Sequence, residues 1–419
     1  MQIVAVSYAL LLASTALLCR WLPATVRPAL LAVASLVFYA LGSWRHALGI
    51  VGLMIAVWLL ATWLRDAAEA SPAKRRWVAG LGIAACVAAL AFFKYASFLG
   101  DSFVSLVRVL SPARGAYLPP AASPDVAPAI PLGISFFTFE FIHVLVDAHR
   151  HALDPKTAVH TRPAVWTRLG DFTQFAAFSL FFPTLLAGPI KRYQQFQPVP
   201  RVQAGDVAWG LARILVGLFK KIALADSVAG IALRLSVPDQ VTPLGLWLAM
   251  YAYAAQIYFD FSGYSDLAIG AGRLLGYRVP ENFHWPYLAT DLSSFWRRWH
   301  ISLSSWIRDY LYIPLGGNRG SALRVALNVI VVMALCGLWH GPAWHFVIWG
   351  VWHGLGLAAT QAFRRWRGQR ASIEQPSRLW RVARGLLTFH FVCFGWLWFA
   401  APSVRAALTG FSRMFLIGL

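Results

Sequence analysis

Charge is scarce in this 419-residue chain: Asp, Glu, Lys and Arg make up 13% of it, about half of the ~25% usual in soluble domains. Acids are scarcest, 17 against 37 Lys and Arg, which leaves a formal net charge of +20. A water-soluble globule of this size needs more surface charge than that, so the composition excludes one. Cysteine is also rare. Cys19, Cys86, Cys336 and Cys393 sit in apolar runs with no C-x-x-C spacing, which excludes a disulfide scaffold and a zinc knuckle and leaves four small packing residues. No G-x-S-x-G elbow and no Walker loop occurs. Gly80-x-Gly82-x-x-Ala85 has the outline of a dinucleotide fingerprint, but it lies inside an apolar run with no strand before it. It reads as small-residue helix packing.

What is abundant is apolar and aromatic: 58% of the residues are hydrophobic, with 20 Trp and 28 Phe. Disorder is excluded, and an all-α polytopic integral membrane protein remains. Expected spans are 3–19, 29–42, 47–64, 77–93, 127–146, 172–190, 207–219, 243–258, 325–339, 344–360, 385–400 and 404–419, giving about 11–12 transmembrane or re-entrant helices. Several fall short of the ~20 residues that a perpendicular crossing needs, so they are tilted, half-buried or re-entrant. The first run has no basic residue ahead of it and no small-x-small cleavage site, so it reads as a retained span rather than a signal peptide. Arg20 and Arg27 follow the first run, and Arg65, Lys74, Arg75 and Arg76 follow the third. Seven arginines from Arg364 to Arg384 crowd a late loop whose single acid is Glu374. This asymmetry puts those loops in the cytoplasm and the N-terminus outside. It also gives the positive charge a partner in the anionic lipid bilayer, rather than in nucleic acid. Residues 1–419 read as a single integral-membrane domain, with extramembrane loops at 111–131 and 372–376.

Ionisable residues inside apolar runs are expensive and mark function by default. In 131–150, Glu140, His143 and Asp147 fall at helical spacing on one face; they either pack that helix on its neighbours or line a polar path. In 258–278, Asp260 and Asp266 are six residues apart with Gly263 between them. A break or kink at Gly263 is expected, with the carboxylates either an acid–base pair or ion-paired to Arg273, Arg297 or Arg298. The densest stretch is 281–320, which mixes Trp, Arg, His, Ser and Asp. Asp291, Ser293 and Ser294 offer N-caps for a helix over 295–307 carrying His300 in its middle, and Gly316-Gly317-Asn318 marks a turn. His340 ends an apolar span just before Gly341-Pro342. It is either a hydrogen-bonded structural group or a general base. His340 and His345 have the wrong spacing for zinc on one helix face.

Several strings together resemble the membrane-bound O-acyltransferase family, in its bacterial alginate O-acetyltransferase-like branch. They are Pro131-Leu132-Gly133-Ile134-Ser135-Phe136, Ala187-Gly188-Pro189-Ile190, 258–266, 295–320 and Gly337-Leu338-Trp339-His340-Gly341. Trp398-Phe399-Ala400-Ala401 stands where relatives read Phe-Phe-Arg-Ala. The resemblance implies helices around a central tunnel, with His340 as the catalytic residue and His300 as its partner.

From these implications follows an expected chemistry. An acyl group, acetyl in this branch, leaves a cytoplasmic thioester, acetyl-CoA or an acyl-carrier pantetheine, for a hydroxyl on the outer side of the membrane. No bound cofactor or metal is called for. Trp299, Ser302, Asp260 and Trp339 are expected to face substrate; His300, Trp299 or Ser302 holds the oxyanion or the acyl group; and Arg297 and Arg298, with Arg308 and Arg319, either attract donor phosphates or anchor lipid. The resemblance further implies O-acetylation of an exopolysaccharide or other envelope polymer, a multi-pass protein of the bacterial inner (plasma) membrane, a periplasmic or membrane-anchored acyltransferase partner, and an acyl-carrier protein as possible donor. D-alanyl transfer to a teichoic-acid-type polymer is the related alternative. A transporter or flippase is the alternative of another class, although no inverted repeat is visible.

Overall fold

The computed structural model describes residues 2–67, 69–111, 129–153, 172–368 and 377–416. Its helices are α1 (Gln2–Trp21), α2 (Arg27–Asp66), α3 (Pro72–Leu90), α4 (Ala96–Leu110), α5 (Ile134–Leu153), α6 (Phe172–Leu180), α7 (Ala204–Phe219) and α8 (Asp226–Ala232). They continue with α9 (Pro243–Leu274), α10 (Leu292–Trp296), α11 (Ile301–Ile307), α12 (Ala322–His340), α13 (Trp344–Gly368), α14 (Arg378–Ala400) and α15 (Val404–Met414). The one β feature among the described residues is an isolated bridge between Pro198 and Tyr277. The all-helical membrane class is therefore as expected. Among the described residues, four stretches, 27–66, 72–110, 322–340 and 378–400, are long and apolar enough to cross a bilayer.

Several spans differ from expectation. Those at 29–42 and 47–64 are halves of α2, joined where Ser43 leaves helical geometry (φ −168°, ψ 104°). The span expected over 172–190 is a helix only to Leu180; Pro183 follows at once, and the chain continues in irregular turns. That backbone is buried in protein, where Ser35 Oγ accepts the Phe182 N–H at 3.2 Å, as non-helical backbone in a membrane protein requires. The stretch 404–419 yields only the 11-residue α15, too short to cross, with arginines at 405 and 413. The expected loop 372–376 and most of 111–131 lie outside the described residues.

The chain falls into two compact units: 1–211 with 268–279, and 212–267 with 280–419. In the first, α2 packs on α5 and α6, and α3 packs on α5. A Cβ on Gly82 of α3 would come within 2.9 Å of Leu145 and 3.0 Å of Leu60, so this glycine serves close packing. The polar stripe on α5 meets one segment. Lys191 donates to Glu140 and to Thr184, the Tyr193 N–H donates to His143 Nε2 at 3.1 Å, and Gln194 donates to Asp147. The stripe is internal packing.

In the second unit α12 and α13 form a hairpin with very close axes. A Cβ on Gly337 would overlap the Phe346 carbonyl, and one on Gly350 would overlap the Met333 carbonyl. Only glycine allows that approach, the small-residue logic of helix pairs in lipid. Gly263 likewise does not break α9. A Cβ there would lie 2.8 Å from the Gly217 carbonyl, and one on Gly217 would lie 2.6 Å from the Gly263 carbonyl. Gly263 is the crossing point of α9 with α7.

Candidate active site

Asp266, on α9 and almost fully buried, accepts from Arg213 at 2.7 Å and Lys220 at 2.6 Å, and Arg213 also donates to Glu281 at 2.6 Å. The carboxylates of this region are ion-paired, but to α7 and its continuation rather than to Arg273, Arg297 or Arg298; Arg273 pairs with Asp206. Next to Asp266, Ser265 accepts from the Asn282 side chain at 3.3 Å. Residues 281–282 are thus pinned through both side chains, Glu281 to Arg213 of α7 and Asn282 to Ser265 of α9.

The helix expected over 295–307 is broken. Asp291 caps α10 by accepting the Ser294 N–H at 2.8 Å. It also receives Arg364 at 2.8 Å and Arg384 at 3.4 Å. Burial raises its pKa, but the Ser294 N–H and the two guanidiniums outweigh it and hold the carboxyl below its ordinary value. The backbone leaves the helix after Trp296, and His300 adopts the left-handed conformation (φ 44°, ψ 55°) ahead of α11, which histidine tolerates better than most residues. The cause is Asn282. Its carbonyl accepts the Ile301 N–H at 2.9 Å and its Oδ1 accepts the Ser302 N–H at 3.2 Å. The first-turn donors of α11, orphans in any helix, are satisfied from a separate segment. His300 is therefore a cap residue and not a mid-helix one.

The His300 ring is 2% exposed, meets Phe261 edge-on at 4.7 Å, and lies with Nδ1 3.1 Å from Asn282 Oδ1. Ser302 Oγ donates to that same oxygen at 2.8 Å. Trp299 is buried against Phe283 (5.0 Å), Phe295 (5.7 Å) and Trp396 (5.0 Å). Tyr258 and Tyr287 flank Trp299 and also line an apolar cavity of about 270 Å³ with Tyr251, Phe259 and Phe389.

His340 is the last residue of α12, half-buried and ringed by Trp339 (4.8 Å), Trp349 (5.1 Å) and Phe399 (5.1 Å). A Cβ on Gly341 would overlap the Phe346 ring, so the glycine after the histidine lets the chain turn tightly into α13. Trp349 meets Trp396 at 6.1 Å, and Trp396 meets Trp299. One aromatic wall therefore runs from His340 to the His300 region, and the two imidazoles are close enough to interact electrostatically. Ala400, next to Phe399, lines a second cavity of about 380 Å³ with Tyr253, Gln256 and Ser236.

His300, Trp299, Ser302, His340 and Trp339 thus share one aromatic region. Arg297 is exposed and Arg298 half-buried beside it, and neither has an acidic partner among the described residues. Asp260 is elsewhere: its carboxylate is half exposed and bound at 2.8 Å by Lys221, which also holds Asp226 at 2.9 Å. His345 donates Nδ1–H to the Trp398 carbonyl at 2.9 Å, a structural role. Asn282, Trp349 and Trp396 escape sequence reading. The only signal for Asn282 is an amide between a charge and a phenylalanine, which says nothing of its pairing with residues 300 and 302.

The model of the membrane-bound O-acyltransferase family matches residues 157–400. The chain is 39% identical over 405 residues to the probable alginate O-acetylase AlgI of Azotobacter vinelandii, covering 94% of this chain and 74% of that one. It is 33% identical to the peptidoglycan O-acetyltransferase of Helicobacter pylori (90% and 72% covered). It is 30% identical to the teichoic acid D-alanyltransferase of Bacillus subtilis (64% and 68% covered).

Proposed function

The chain belongs to the membrane-bound O-acyltransferase family, and from that premise we propose that it transfers an acetyl group from a cytoplasmic thioester to a hydroxyl on the outer side of the membrane. The polymer ultimately modified is an exopolysaccharide or another envelope polymer, the class named by the Azotobacter and Helicobacter relatives. Membership makes the protein an acyl-transfer enzyme of the membrane, which displaces the transporter reading. Its location is the bacterial inner membrane and its 419 residues act as one acyltransferase domain. Acetyl-CoA or an acyl-carrier pantetheine is the donor, and a periplasmic or membrane-anchored acyltransferase is the partner that completes delivery to polymer.

The carrying observation is His340 at the C-terminal end of α12, within an aromatic wall that leads to His300. His340 takes the proton of the acceptor hydroxyl as its oxygen attacks the thioester carbonyl. The tetrahedral intermediate collapses with rupture of the C–S bond, and the leaving thiolate recovers the proton from His340. The charge that His340 carries between these steps lies against the negative end of the α12 dipole. Trp299 and Trp339 keep the acyl group dry and limit hydrolysis. Arg297 and Arg298, lacking acidic partners among the described residues, attract the donor's phosphates. Ser302 supports His300 through their shared contact with Asn282. The cavity bounded by Tyr253, Gln256 and Ser236, which Ala400 also lines, offers further hydroxyl-binding groups.

The test is purified protein with labelled acetyl-CoA and alginate oligosaccharide. His340→Ala is expected to lower transfer by about 10²–10⁴-fold, the range for loss of a general base, with folding unchanged by thermal melting. Wild-type turnover by the folded variant overturns the assignment. D-alanyl transfer is the second reading, favoured by the Bacillus relative; it predicts use of a D-alanyl carrier thioester and rejection of acetyl-CoA.

A further inference from the structure

We infer that Asn282 is a positioning residue that fixes His300 in a single tautomer, with Nδ1 protonated and Nε2 left as a hydrogen-bond acceptor. The inference rests on the reading of His340 and His300 as the acyl-transfer pair and deepens it.

The argument starts from a group whose polarity is not in question. A backbone N–H can only donate, and the Ser302 N–H points at one end of the Asn282 amide at 3.2 Å. That end must be Oδ1, so the amide orientation is fixed. The opposite end, the NH2 group, meets Ser265 Oγ at 3.3 Å, and a hydroxyl can accept. The oxygen so identified is also 3.1 Å from His300 Nδ1. An amide oxygen has no hydrogen to give, so Nδ1 supplies it. A neutral imidazole carries one N–H, hence Nε2 bears a lone pair. Asn282 is fully buried, and the His300 ring is held edge-on to Phe261 at 4.7 Å. The left-handed backbone at His300 is held by the two bonds that Asn282 makes to the N–H groups of residues 301 and 302. One buried amide thus sets backbone, ring and tautomer together.

The consequence for chemistry is a division of labour. Neutral His300 has its one N–H committed to Asn282, so Nε2 can accept a hydrogen bond but has none to give the oxyanion, a role expected of His300, Trp299 or Ser302. It takes a polar hydrogen, from the acceptor hydroxyl or from His340. Ser302 Oγ, which donates to Asn282, reinforces the same oxygen.

The titratable group acting on His300 from another element is His340. On α9, Asp266 is engaged by Arg213 and Lys220, and Glu281, beside Asn282, is engaged by Arg213. Arg297 and Arg298 flank His300 on its own segment, and His284 donates its backbone N–H to the Arg298 carbonyl.

The test uses the full chain labelled with ¹⁵N-histidine, the His300 signals being identified by their loss in His300→Gln. Near neutral pH the spectrum is expected to contain a protonated Nδ1 and a bare Nε2 for His300. Asn282→Asp keeps the acceptor oxygen and the cap but adds a negative charge, which favours the imidazolium. The acid limb of the pH profile for acetyl-CoA cleavage should move upward by about one pH unit or more. Asn282→Ala should lower kcat by roughly 10–100-fold, the cost of losing an outer partner that orients an imidazole. An Nε2–H tautomer in the wild type, or an unshifted acid limb in folded Asn282→Asp, overturns the inference. The stated tautomer in a protein without His340-dependent thioester cleavage sinks the functional reading instead, while the Asn282 anchor stands.

Discussion

His353 lies wholly buried on α13 against Trp296 (5.3 Å), Trp349 (5.0 Å), Phe391 (5.9 Å) and Trp396 (6.4 Å). Neither of its ring nitrogens has a hydrogen-bond partner among the described residues. His300, equally buried, has Asn282. The same residue type is therefore a packing group in one place and an oriented acceptor in the other, and the difference is a single amide. A buried polar group left unsatisfied costs about 1–3 kcal/mol, so His353→Leu, which removes both nitrogens at similar volume, is expected to leave the melting temperature unchanged or to raise it, with acyl transfer retained. A marked fall in melting temperature would mean that the imidazole holds a buried water or another polar group. Both histidines have tryptophans near them in the sequence; the arginines and serines around His300 mark it out there, but only the fold brings residue 282 to it.

The α12–α13 hairpin sets the position of His340, and its glycines set the hairpin. At Gly337 any side chain meets the Phe346 carbonyl, whereas at Gly385 of α14 a Cβ meets nothing within 4 Å. Gly337→Ala is therefore expected to destabilise by about 1–3 kcal/mol or more, as overpacking does, and to reduce acyl transfer beyond its effect on folding, because the last turn of α12 carries His340. Gly385→Ala should be neutral or stabilising by about 0.5–1 kcal/mol, the helix penalty of glycine. Equal melting temperatures for the two variants would contradict the close crossing. The apolar periodicity made α12, α13 and α14 legible in the sequence, as did the cap at Asp291 and the turn at Gly316–Gly317, where φ is 110° and 55°. It failed at 172–190 and 295–307. In both places the regular pattern of residues continues while tertiary partners take over the backbone: Ser35 at Phe182, and Asn282 at Ile301 and Ser302. Gly263 misled for the converse reason, since a glycine in a helix marks a close neighbour as readily as a break.

At the scale of the whole chain, the excess of 37 basic over 17 acidic residues divides by what each cation meets. Arg213 and Lys220 neutralise the buried Asp266, and Arg364 and Arg384 hold the capping carboxylate of Asp291. The clasp at Asp291 ties the start of α10, and so the segment leading to His300, to the ends of α13 and α14 that border the arginine-rich loop. By the rule that short basic loops stay in the cytoplasm, the rest of that loop's charge is expected on that side. If that rule sets the orientation, Asp291 lies toward the cytoplasmic face, the side from which the proposed function brings a thioester donor past Arg297 and Arg298. The four native cysteines are all buried, so a cysteine placed at an exposed position reports its side of the membrane against a low background. Arg381 on α14 is exposed. Arg381→Cys is expected to react with a membrane-impermeant maleimide in inverted vesicles and to be protected in intact spheroplasts. Labelling in intact spheroplasts would reverse the orientation. It would also put Arg297 and Arg298 on the side away from cytoplasmic thioesters, and reverse the proposed direction of acyl transfer.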